Sequence, residues 1–101
     1  MYILNTTFVV AEPRLEEFLK WAREVYVQSM EKAGIFSGIT MARVMTQIEP
    51  GTISVALQAR AAKLDEAQRW HDDVAALLRD DLSARFSGQV LFFTTYMEVI
   101  L

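Results

Sequence analysis

The chain has 101 residues, no cysteine, ten Lys and Arg against thirteen Asp and Glu, and a formal net charge of −3. That length makes one domain, able to bury a core without staples. The missing cysteines exclude disulfides, thiolate metal sites and cysteine nucleophiles, and the scattered cations and the pI near 5.0 count against nucleic acid, which is held by clustered positive charge.

The apolar content is 52% and the mean hydropathy +0.18, slightly above the usual range for a soluble domain. No apolar run approaches the roughly 18 residues that span a bilayer. The opening Met1-Tyr2-Ile3-Leu4-Asn5 lacks the basic region and small-residue cleavage site of a signal peptide. The expectation is a cytoplasmic protein without a membrane partner.

Residues 2–10, rich in β-branched and aromatic types, predict a first strand. Glu12-Pro13 opens a helix, since proline is tolerated at the first helical position. Leu15, Phe18, Leu19, Ala22, Val25, Tyr26 and Met30 recur at three and four and mark its buried stripe. Gly34 stops it as a C′ residue. Residues 38–48 alternate as a second strand, Glu49-Pro50-Gly51 is a compact turn, and Thr52 to about Arg60 is the hairpin partner, with Ile53, Val55, Leu57 and Ala59 facing one way.

A second helix runs from about Leu64 to Ser83, with a stripe of Ala67, Trp70, His71, Val74, Leu77, Leu78 and Leu82. Asp80 and Asp81 lie where negative charge opposes the helix dipole, so an end near Arg79 and a separate short turn from Asp81 to Arg85 are expected. Gly88 leads into the last strand, which has no polar side. Leu91, Phe93, Met97 and Val99 share one face, and Val90, Phe92, Tyr96 and Ile100 the other.

The order strand, helix, strand, strand, helix, strand makes residues 1–101 one α+β, ferredoxin-like βαββαβ domain, an antiparallel sheet with both helices on one face. The opposite face is left bare. An apolar bare face is expected to pair with a second copy across a two-fold axis.

With this pattern the chain resembles the dimeric α/β-barrel superfamily, in which two ferredoxin-like sheets face each other. More narrowly, Met1-Tyr2-Ile3-Leu4-Asn5-Thr6-Thr7-Phe8 and Phe92-Phe93-Thr94-Thr95-Tyr96-Met97-Glu98 resemble a family of small proteins carried as a domain of unknown function. The superfamily includes antibiotic-biosynthesis-type monooxygenases, haem-degrading enzymes and plain binding modules, so fold alone transfers little. The haem-degrading branch is similar in having an early asparagine (compare Asn5), a tryptophan (compare Trp70) and a histidine on the second helix (compare His71). It departs in that Trp70 and His71 are adjacent here, and point about 100° apart on a helix.

His71, the only histidine, is the candidate general base or axial ligand, its ordinary pKa lying near neutrality; a structural histidine is the preferred reading. Arg43, Gln47, Gln58 and Arg60 fall on the paired hairpin strands. If they face a common interior they form a polar, cationic lining for an anionic or carbonyl-bearing ligand; the alternative is rim ion pairs with Glu49 or Glu98. Asn5 and Tyr96 would orient a ligand in an apolar pocket, against ordinary cross-strand pairing of the neighbouring threonines. Trp21, Tyr26, Met30 and Phe36 read as core, and Asp72-Asp73 as a solvated helix face. No phosphate loop and no nucleophile elbow occurs, and no metal or cofactor is expected.

Two functions follow as expectations. One is a homodimeric binding or assembly module for a small apolar or anionic ligand. The other is a small cofactor-poor oxygenase or isomerase acting on an aromatic or polyketide-like substrate. There His71 would be the base, and Asn5, Arg43, Gln58, Arg60 and Tyr96 would hold the ligand.

Overall fold

A computed structural model describes all residues, 1–101. Strand β1 is Tyr2–Ala11, β2 Phe36–Arg43, β3 Thr52–Ala61 and β4 Val90–Glu98. Helix α1 covers residues 15–33, entered through a 3-10 turn at Glu12–Arg14, and helix α2 covers residues 64–86. The four strands form one antiparallel sheet in the order β2-β3-β1-β4. This is the ferredoxin-like α+β fold, with both helices on one side of the sheet. No helix is long and apolar enough to cross a membrane.

Leu4, Phe8 and Val10 of β1, and Val55, Leu57 and Ala59 of β3, are buried beneath the helices. Phe8 lies at the centre. Its ring centroid is 5.0 Å from Phe18, 5.5 Å from Tyr26 and 6.2 Å from Phe92. Trp70 continues the aromatic row, edge-on to Tyr26 at 5.7 Å and to Phe36 at 5.1 Å. Trp21, Tyr26 and Met30 are core, as their spacing implied.

Each helix contains one π-helical turn, Ala22–Tyr26 in α1 and Trp70–Val74 in α2. A π-turn adds a residue and rotates the face that follows. This corrects the expected stripe of the second helix. Ala67, Trp70 and Leu82 are buried as expected and Ala75 and Phe86 join them, while Val74, at the end of the turn, and Leu77 are exposed.

The second helix does not end near Arg79 but continues to Phe86. Asp81, which opposes the dipole there, is held by three hydrogen bonds from two donors. Trp21 Nε1 donates to it at 2.9 Å, and Arg85 Nε reaches both its oxygens at 2.9 and 3.0 Å. Gly34, with φ +71°, ends the first helix in the left-handed conformation that glycine favours.

The second strand is also corrected. It begins at Phe36, breaks register between Ser37 and Thr40, and stops at Arg43. Gly38, with φ +58°, accommodates the bulge. Val44 N still donates to the Ser54 carbonyl at 2.8 Å, but residues 45–48 leave the sheet despite their alternation, and Met45 and Ile48 are exposed. The compact turn expected at Glu49-Pro50-Gly51 does form, closed by Thr52 N and Oγ1 donating to the Glu49 carbonyl at 3.2 and 2.7 Å, and irregular chain from Met45 to Ile48 precedes it.

Candidate functional site

Strand register divides the sequence-predicted residues between the two faces of the sheet. Leu4 pairs with Tyr96, and Thr6 with Thr94 and Leu57, so these side chains share the helix side. Asn5 pairs with Thr95 and Gln58, and Ile3 with Met97 and Arg60, so Asn5, Gln58 and Arg60 share the open side. Arg43 pairs with Val55 and belongs to the helix side. Two expectations are corrected by this parity: Arg43 and Gln47 do not join Gln58 and Arg60 in one lining, and Asn5 and Tyr96 cannot address one ligand within a subunit. Gln47 is outside the sheet altogether.

On the helix side, the π-turn of α2 sets His71 against β4. Its ring meets Tyr96 edge-on, centroids 5.9 Å apart. Arg79, two turns further on, reaches back with Nη1 at 3.2 Å from Nδ1 and 3.4 Å from Nε2 of His71, while Nη2 donates to the His71 carbonyl at 3.2 Å. The same guanidinium lies over the Phe92 ring at 5.7 Å. Arginine only donates, so the imidazole nitrogen that accepts from it carries no proton. Burial first, and then the Arg79 charge, hold the His71 pKa below its ordinary value; Asp72 pulls the other way.

Two more polar groups belong to this region. Tyr26 is 1% exposed and Trp70 5%, and neither Tyr26 Oη nor Trp70 Nε1 has a hydrogen-bond partner. Burial pushes the Tyr26 phenol up, tempered by the nearby Thr6 hydroxyl and by Arg79. Tyr96 is raised by burial and by Asp72, with Arg79 opposing. Both phenols therefore stay protonated near neutral pH. The cluster is rich in donors, with no carboxylate among its ring contacts, and is suited to a carbonyl or oxyanion rather than to paired acid–base work. The surface grooves are lined by other residues.

Haem does not fit these residues. Both His71 ring nitrogens are within reach of Arg79, and Asn5 is on the opposite face of the sheet. No three His, Cys, Asp or Glu side chains converge.

On the open side, Asn5 Nδ2 donates to Thr7 Oγ1 at 3.1 Å. Thr6 and Thr94 pair across the strands on the other face, Oγ1 to Oγ1 3.0 Å, which is ordinary cross-strand pairing. Ile3, Gly38, Thr40, Gln58, Ala59 and Arg60 line a groove of about 310 Å3. Within the single chain neither Arg43 nor Arg60 pairs with Glu49 or Glu98; its three ion pairs involve Arg14, Arg69 and Arg85. Beside Ser54 and Thr95, this face presents large apolar side chains on β4. Leu91 is 61% exposed, Phe93 53% and Met97 39%.

The family model described as "Domain of unknown function (DUF4286)" matches residues 1–100. The chain belongs to the DUF4286 family. No curated protein matches it. Among solved structures, the DUF4286 chain is similar to HapK from Hahella chejuensis, with a TM-score of 0.72 at 8% identity over 99% of this chain and 93% of that one. A dimeric ferredoxin-like protein from an uncultured marine organism gives a TM-score of 0.68 at 15% identity, over 98% and 95%. A monooxygenase from the gene ActVA-Orf6 of Streptomyces coelicolor, in complex with nanaomycin D, gives 0.63 at 14% identity, over 99% and 89%. At such identities the likeness is one of fold.

Sequence reading of the DUF4286 chain missed Arg79 and took Tyr26 for plain core. An arginine eight residues beyond a histidine gives no signal unless a π-turn is foreseen. An orphaned phenol is visible only once every neighbour is placed.

Proposed function

We propose that this protein is a homodimeric binding or assembly module, two copies joined through their open sheet faces. One observation carries the reading. The sheet has a single helical layer, and its uncovered side presents Leu91, Phe93 and Met97 to solvent in a lone subunit. Exposed contiguous apolar surface marks an interaction site, and a standard interface takes about 800 Å2 from each partner. The slab measures 36 × 28 × 18 Å, and its broad side is large enough. Dimeric ferredoxin-like neighbours support the same assembly.

Face-to-face pairing would roof the groove beside Gln58 and Arg60. Asn5, Gln58 and Arg60 would then line a shared interior suited to a small apolar or anionic ligand. The test is light scattering on wild type, Phe93→Glu and the control Leu77→Glu, which alters the exposed outer side of α2. The expected result is a dimer for wild type and control and a folded monomer for Phe93→Glu. Dimers for all three would refute the face assigned.

A second reading is favoured by the half-buried His71, Arg79 and Tyr96, which stand together on the helix side. These donors would bind the carbonyl of an aromatic or polyketide-like substrate in a small oxygenase or isomerase. Turnover of a hydroxynaphthoquinol probe, lost in His71→Ala at unchanged fold, would support it. A change in stability alone, with no turnover in wild type, would exclude it.

A further inference from the structure

The two helices do not span the whole sheet, and the edge strand β2 is left partly uncovered on their side. A groove of about 310 Å3 runs there between α1 and the β2–β3 pair. Leu15, Leu19 and Arg23 stand at intervals of four on α1 and form one wall, because such residues share a helix face. Met41 and Arg43 of β2, with Ile53 and Val55 of β3, form the other. The lining is apolar apart from two guanidinium groups, one from each wall, and contains no acid. All three ion pairs of the subunit use other arginines.

We infer that this groove binds a medium-chain carboxylate, its alkyl chain along Leu15, Leu19 and Ile53 and its head group held between Arg23 and Arg43. The charge complementarity is specific. Guanidinium accepts a carboxylate through paired hydrogen bonds, whereas a neutral or cationic head group gains nothing from two unneutralised arginines. The volume is at the low end for ligand pockets, about 300–1,000 Å3, which suits a single short chain rather than a folded partner. The groove lies within one subunit, on the side of the sheet opposite Leu91 and Phe93. It is thus independent of the dimer reading.

Calorimetric titration with sodium octanoate, 1-octanol and octyltrimethylammonium tests this. The expected result is saturable octanoate binding at one per chain, with the other two probes at least about tenfold weaker, the scale of a charged hydrogen bond. Arg23→Gln with Arg43→Gln should weaken octanoate by about tenfold or more and leave octanol unchanged. Leu19→Trp, which fills the groove, should abolish binding in a protein of unaltered far-UV spectrum. Phe93→Glu should bind octanoate as wild type does, whatever its assembly. Absence of octanoate binding at millimolar concentration, octanol binding as tightly as octanoate, or full affinity in the double variant would each overturn the proposal.

Discussion

Among single residues, His71 and Asp81 have the most legible electrostatics. The folded protein holds His71 below its ordinary pKa of 6.5. A histidine depressed in the folded state binds protons more readily when unfolded, so its neutral form favours folding above that value. Stability should therefore fall as pH drops from about 6.5 through the lower folded value, because protonation charges a part-buried ring and then sets that cation against Arg79. His71→Gln should remove this component from a pH series of thermal midpoints, and an identical pH slope would contradict the arrangement.

Asp81 is depressed from 3.8, first by the Trp21 hydrogen bond and then by Arg85. Its contribution is present above 3.8 and is lost as pH falls through the folded value. Trp21→Phe removes that hydrogen bond, so the Asp81 carboxyl, followed by NMR titration, should move back toward 3.8. An unmoved titration would mean that Arg85 alone sets it.

At the scale of elements, Phe8 measures how the sheet and helices depend on each other. It is fully buried and touches Phe18, Tyr26 and Phe92. Phe8→Ala should cost about 3–5 kcal/mol, the range for a large aromatic removed from a core, read as a lowered denaturant midpoint. A loss below about 1 kcal/mol, the range of a surface change, would mean that the core collapses around the gap.

The strand and helix order, the ends at Gly34 and Gly51, and the clean inward row of β3 were all legible, because each rests on a local period or a backbone conformation only glycine takes readily. Three features were not. The π-turns at Ala22–Tyr26 and Trp70–Val74 break the 3.6-residue period from within, so Leu77 was read inward and is out. The bulge at Gly38 and the departure at Arg43 depend on an edge strand that lacks cover. Continuation of α2 past Asp81 depends on Trp21, a residue 60 positions away. Site residues suffered most, since one step of strand parity carries a side chain through the sheet. Arg43 and Gln58 looked like one lining and lie on opposite faces.

For the whole molecule, what matters is the second cover of the sheet. One layer of helices shields Phe8, Val55 and Leu57; nothing in the subunit shields Leu91, Phe93 or Met97. The same asymmetry separates the two candidate ligand regions, with Gln58 and Arg60 on the uncovered face, and Arg23 and Arg43 on the helix side. The most direct measurement is an isotope-filtered NOE experiment on a mixture of labelled and unlabelled chains, which records contacts between copies alone. Intermolecular NOEs from Phe93 and Met97 to Ile3, Leu91 or Phe93 of the second chain are predicted. Their absence at concentrations where the protein is well behaved, or their appearance at Leu77 and Ile48 instead, would contradict the account.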